Sequence, residues 1–341
     1  MTTTKVREIT YAQAINEAIR HEMRRDPTII VMGEDIAGAA GKADQGFIDA
    51  WGGPFATTKG LIQEFGPERV RDTPISEAGY IGAAVGAAAT GLRPIAELMF
   101  VDFVGVCLDQ IMNQAAKMRY MFGGKTKIPL VIMTRMGAGV GSAAQHSECL
   151  YSMLTHLPGL KCVAASDAYT AKGLMISAIR DDDPVIMFDH KLLLSARGPV
   201  PEEDYTFPIG KARILKEGKD ITLVGMSLTT SVCAEAARRL AQEGINAEVI
   251  DLLSLSPMDE DAILSSVKKT QKLVVVDEDT PRCSMATDIA ALVADQAFDY
   301  LDAPIKRVTA PHTPVPFSRV LEQAYMPSPE KVIQAVKSIM R

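Results

Sequence analysis

A chain of 341 residues that is 47% hydrophobic and 23% charged has the make-up of a globular protein, and its length suits two domains better than one. The net charge of -6, without any run of Lys or Arg, argues against a nucleic-acid partner. Five cysteines, Cys107, Cys149, Cys162, Cys233 and Cys283, form an odd set with no close pair and no zinc spacing, which fits a reducing compartment better than a disulfide framework.

The opening MTTTKVREIT leads into the helical pattern YAQAINEAIRHEMRRD with no apolar core of a signal peptide, so a cytoplasmic protein is expected. After the strand pattern TIIVMGED comes the Gly-rich stretch AGAAGKADQGFIDAWGGPFATTKGL, read as a long loop. DTPISEAGYIGAAVGAAATG, residues 72 to 91, reads as a helix in which Ser76 caps the free amides and Glu77 sits at the positive end of the dipole. Gly82 and Gly86 share one face of it, which invites close approach by another helix of this or another chain. RPIAELM is a strand, and Phe103 beyond it is either core or a platform for a flat ring.

FVGVCLDQIMNQAAKMRYMFGG is helical, and IPLVIMTRMG is a strand. The next segment, GAGVGSAAQHSE, is a small-residue loop where open α/β sheets place ligand contacts; His146 in it is an acid/base candidate or an ordinary loop histidine. SECLYSMLTHLPG and AYTAKGLMISAIRDDD are helices alternating with the strands LKCVAASD and PVIMFDHK. The acids at 181 to 183 make a solvated helix end or a seat for a hard cation. His21 and His156 read as surface or packing residues, while the roles of His190 and His312 stay open.

The aperiodic SARGPVPEEDYTFPIG then reads as a linker, followed by strands DITLVGMS, AEVIDLLS, KLVVVDED and PIKRVTAP between helical patterns. The expected architecture is α/β with two doubly wound domains, residues 1–194 and 211–341, joined by the linker 195–210. A GxGxxG fingerprint, a P-loop and a GxSxG elbow are all absent from the sequence.

RDTPISEAGYIGAAVGAAATGLRPIAELMFVDF, NQAAKMRYMFGG, AAQHSE, SAIRDDDPVI and TPVPF together resemble the beta subunit of the thiamine-diphosphate-dependent component of 2-oxo acid and acetoin dehydrogenase complexes, over essentially the whole chain. That resemblance implies an N-terminal pyrimidine-binding domain, a transketolase-like C-terminal domain and an alpha2-beta2 heterotetramer holding thiamine diphosphate between its subunits. It implies that Glu77 shares a proton with a ring nitrogen of the aminopyrimidine and so activates the cofactor. Phe103 would stack on that ring, and Ile75 and Met99 would line its pocket. His146 would transfer a proton or stabilise the reacting oxygen near the substrate and the entering lipoyl group. Leu130, Ala178, Ile179, Asp181 and Asp183 fall where some members hold a potassium ion. The family's GDG diphosphate and magnesium motif occurs nowhere in the chain, so Mg2+ and the diphosphate are expected on the alpha subunit.

AWGG followed by TKGL resembles the acetoin branch more than the pyruvate branch, so acetoin is the expected substrate, cleaved to acetaldehyde with transfer of the two-carbon unit to lipoamide on the dihydrolipoamide acyltransferase. The alternatives are a pyruvate or branched-chain 2-oxo acid dehydrogenase beta subunit, a non-catalytic scaffold, and a self-sufficient transketolase-like enzyme. The C-terminal domain is expected to dock the acyltransferase.

Overall fold

The computed structural model describes residues 7–38 and 53–340, so most of the Gly-rich loop expected between 37 and 61 lies outside the described residues. Two compact units emerge: one takes the chain to Arg135 together with Met153–Asp189 and Leu193–Ile209, the other takes Met136–Ser152, His190–Leu192 and Gly210 onward. The His146 loop therefore groups with the C-terminal residues.

In the first unit a parallel sheet runs in the order Lys161–Ala164, Val185–His190, Val131–Met136, Arg93–Phe100, Ile29–Gly33, Val70–Asp72. Every residue of Ile29–Gly33, Val131–Met136 and Val185–His190 is buried, as strands covered on both faces require. The helices Tyr11–Arg25 and Ala168–Arg180 pack together, each opened by a capping box, Thr10 with Gln13 and Asp167 with Thr170. Arg7–Thr10 pairs antiparallel with Arg197–Val200, so the segment expected to be an aperiodic linker carries a strand. Its pattern failed to show because RGPV, with Gly and Pro, lacks the alternation of a half-buried strand.

The long pattern after Phe103 is not one α-helix. It divides into Val104–Asp109, a π-helical turn Gln110–Ala115 and Ala116–Met121. The Glu77–Ala89 helix lies against this bulged segment: a Cβ on Gly82 would stand 3.5 Å from Gln110 Oε1, whereas one on Gly86 would meet nothing within 4 Å among the described residues. Beneath the sheet ends, Arg135 is fully buried with Asp189 at 2.7 Å, Glu97 at 2.9 Å and Thr57 at 2.9 Å, and its guanidinium lies 4.8 Å from the Phe55 ring centre. The Tyr11 hydroxyl donates to the other Asp189 oxygen at 2.7 Å. Burial pushes Asp189 up to about 6 despite the guanidinium, and pushes Glu97 upward too.

The second unit has its own sheet, ordered Lys306–Thr309, Leu273–Asp277, Ile221–Gly225, Ala247–Asp251, Arg213–Lys216, parallel except for the last strand. Helices Leu228–Gln242 and Pro329–Lys337 contribute Cys233, Ala236, Leu240, Val332 and Val336 to its core. The fold class is the expected α/β with two parallel-sheet units. Sequence patterns missed Val70–Asp72 and Arg213–Lys216, both short edge strands that are only partly buried.

Candidate active site

The helix Glu77–Ala89 begins where the chain leaves the edge strand Val70–Asp72. Ser76 occupies the N-cap position but makes no side-chain capping bond, contrary to expectation; its backbone, at φ -156 and ψ 83, departs from ordinary cap geometry. Glu77, in the first turn, is only 9% exposed, and its carboxylate has no hydrogen-bond or ion-pair partner among the described residues. The helix dipole is its visible compensation.

Surrounding groups register that charge. Burial and then Glu77 push the Cys107 thiol up to about 12. Burial, Asp35 and Glu77 raise Glu34, and burial followed by Glu77 raises Tyr80. Tyr80, one turn along the helix, is 5% exposed, and its hydroxyl also lacks a partner among the described residues. Buried oxygens of this kind, without a partner among the described residues, call for a hydrogen-bond donor.

Of the other residues expected at the site, Ile75 is 77% exposed and Met99 is half-buried near the end of its strand. Phe103 is half-buried and edge-on to Phe100, ring centres 5.7 Å apart, and Phe100 is edge-on to Phe55 at 5.6 Å. A buried carboxylate with no partner among the described residues can serve a flat heterocycle with a protonable ring nitrogen, such as the aminopyrimidine that the family resemblance implies. Glu77, Ile75, Met99 and Phe103 thus all belong to the first unit. Neither Tyr80 nor Phe100 stood out in the sequence, because each is an ordinary apolar-face residue by pattern.

The cation candidates lie at the end of helix Ala168–Arg180. Leu130, Ala178 and Ile179 are buried. Asp181 receives Lys161 at 2.8 Å on both oxygens, and Asp183 pairs with Lys161 at 3.1 Å and with Arg119. Arg93 donates to the Ile179 carbonyl at 3.0 Å and to the Asp181 carbonyl. The acids expected to be a solvated helix end are instead paired with cations, and no group of three His, Cys, Asp or Glu able to hold a metal occurs among the described residues. Any bound cation would rest mainly on carbonyl oxygens.

His146 belongs to the second unit, on the loop after strand Val131–Met136, and is half-buried. The Lys191 ammonium donates to its carbonyl and reaches Ser147 Oγ at 3.2 Å. His190, whose role the sequence left open, is buried, with Nε2 2.8 Å from Glu278 and Nδ1 accepting from the Leu192 amide at 3.1 Å. Because Nδ1 is an acceptor there, the proton sits on Nε2 and is donated to Glu278. Gly137, at φ +92, is the only residue type that fits beside it: a Cβ would fall 2.0 Å from His190 Nε2.

Two family models match the chain, "Transketolase, pyrimidine binding domain" over residues 7–196 and "Transketolase, C-terminal domain" over 210–332. The acetoin:2,6-dichlorophenolindophenol oxidoreductase subunit beta of Bacillus subtilis is 55% identical over 98% of both chains. The protein of the same name from Cupriavidus necator is also 55% identical with 98% coverage of each. The pyruvate dehydrogenase E1 component subunit beta of Rhizobium meliloti is 43% identical over 98% of this chain and 71% of its own. Among solved structures, a split gene transketolase described as an inactive beta4 tetramer matches with a TM-score of 0.76, 24% identity, and coverage of 97% of this chain and 98% of that one, a likeness of fold.

Proposed function

Since the chain belongs to the transketolase-like family, among the beta subunits of acetoin and 2-oxo acid dehydrogenases, we propose that it is the beta subunit of an acetoin dehydrogenase that cleaves acetoin to acetaldehyde and passes the two-carbon unit to lipoamide. It is an oxidoreductase subunit of the thiamine-diphosphate-dependent kind. The observation that carries the reading is the buried Glu77 carboxylate, which has no partner among the described residues. The greater identity to the acetoin relatives than to the pyruvate relative supports the substrate.

Bound thiamine diphosphate would supply the nucleophilic carbon and the electron sink; the protein supplies orientation and proton placement. Glu77 would hold a proton at the pyrimidine nitrogen, in a pocket whose other acids make a protonated nitrogen welcome. Phe103 would bear on the ring face, with Ile75 and Met99 along its edges. His146 would move a proton at the substrate oxygen. The absence of GDG from the sequence supports an alpha subunit that brings the diphosphate and Mg2+ contacts, in an alpha2-beta2 heterotetramer serving a dihydrolipoamide acyltransferase core. The carbonyls of Leu130, Ala178 and Ile179, with Asp181 and Asp183, would hold potassium. Replacing K+ by Na+ should then lower the melting temperature of the assembled protein by a few degrees, measured calorimetrically; equal melting curves would remove the ion. Five free cysteines support a cytoplasmic setting, and no helix among the described residues is long and apolar enough to cross a membrane.

The test is co-expression with the alpha subunit, addition of thiamine diphosphate and Mg2+, and dye reduction with acetoin and pyruvate in parallel. Turnover of acetoin, lost in Glu77→Ala, is expected. Turnover mainly of pyruvate would keep the site and replace the substrate.

A further inference from the structure

The loop carrying His146 is soft by composition. Gly137, Gly139 and Gly141 all take positive φ, 92°, 108° and 74°, and such a segment has little stiffness of its own. Its backbone is nevertheless pinned by side chains from far along the chain. Glu278 accepts from the Ala138 amide at 2.7 Å, and Glu322 accepts from the Gly139 amide at 2.6 Å and from the Gly141 amide at 3.1 Å on each oxygen. At the other end of the loop, Asp277 accepts from the Tyr151 hydroxyl, and Asp279 accepts from the Ser152 hydroxyl at 2.6 Å. Three of these acids are nearly sealed from solvent: Asp277 at 0%, Glu278 at 4% and Glu322 at 2% exposure.

Charge-assisted bonds to backbone amides are short and directional, and burial strengthens them further. They act on main-chain position, whereas apolar packing of a Gly loop has almost nothing to grip. Asp277, Glu278 and Asp279 are consecutive at the end of strand Leu273–Asp277, so one rigid element delivers three anchors. Glu322 adds a fourth from helix Arg319–Tyr325.

We propose that Glu278 and Glu322, assisted by Asp277 and Asp279, are positioning residues that set the His146 loop for reaction. The inference rests on the role of His146 given above. It concerns placement of the imidazole, not contact with substrate. A displaced catalytic group lowers turnover and leaves binding of a small substrate nearly unchanged.

The experiment uses the reconstituted alpha–beta complex, acetoin and a dye acceptor. Its variants are Glu322→Ala, Glu322→Gln, His146→Ala and the double variant Glu322→Ala/His146→Ala. Glu322→Ala should lower kcat about tenfold to a hundredfold with KM within about twofold. Glu322→Gln keeps one acceptor oxygen and should recover part of kcat. The double variant should be no slower than His146→Ala, because a positioning residue has nothing left to position. Hydrogen exchange of the peptide covering 137–150 should rise in Glu322→Ala.

Losses that multiply in the double variant, or an unchanged kcat alongside faster exchange, would overturn the proposal. A silent His146→Ala would instead overturn the role of His146 on which it stands. Should Glu322→Ala fail to fold, Tyr151→Phe removes the Asp277 anchor while leaving that acid its amide bonds from Asp279 and Ala286, each at 2.9 Å. It should also lower kcat without changing KM, and normal kcat there would count against the proposal equally.

Discussion

Glu77 is buried close enough to Glu34 and Tyr80 for its carboxylate to act on both, and the Tyr80 hydroxyl has no partner among the described residues. Such a group is retained at a cost in stability. Glu77→Gln should therefore raise the melting temperature of the isolated chain by a few degrees, an order of ~1 kcal/mol, while lowering dye reduction by the complex ~100-fold or more. Calorimetry and steady-state kinetics on the same preparation check both. Asp279 offers a pH test. Burial pushes it up to about 7. Its folded pKa thus lies above the ordinary carboxylate value, so its contribution to stability is present in acid and is lost as pH rises through about 7. Asp279→Asn should flatten that dependence, with a smaller fall in melting temperature between pH 5 and pH 8 than the parent chain shows.

At the scale of elements, Arg135 ties together strands Arg93–Phe100, Val131–Met136 and Val185–His190 through Glu97 and Asp189. Arg135→Met would leave two buried carboxylates without their cation and should cost about 3–5 kcal/mol, read from urea unfolding. The sequence marked these strands as apolar bursts, and that legibility comes from burial on both faces, which tolerates few polar residues. The same reading could not place the π turn at Gln110–Ala115, because one inserted residue alters helical phase without altering composition. Nor could it find the capping failure at Ser76, which depends on backbone angles and not on residue type. Gly82 and Gly86 looked equivalent by spacing, yet among the described residues a Cβ on Gly82 would meet Gln110 and one on Gly86 would meet nothing within 4 Å.

For the whole molecule, that difference bears on assembly. Gly86→Leu meets no neighbour among the described residues at its Cβ and should leave the isolated chain as stable as before, or slightly more so through helix propensity. If a partner helix covers that face, the same change should weaken co-elution with the alpha subunit in size-exclusion chromatography. The two-unit architecture was legible from alternating strand and helix patterns. The membership of the His146 loop was not: sequence order places Met136–Ser152 among N-terminal elements, while its polar partners are acids of the C-terminal segment. Long-range pairs of this kind leave no local signal.

The acid anchors also bear on the order in which the chain is made. Ala138 is separated from Glu278 by 140 positions, and Gly139 from Glu322 by 183. A ribosome therefore releases the His146 loop long before any of its acid anchors exists. The loop would be the last part of the N-terminal sequence to take its working shape. A product truncated or stalled before Glu322 would lack the acid that holds the Gly139 and Gly141 amides, so incomplete chains would be left without a placed imidazole.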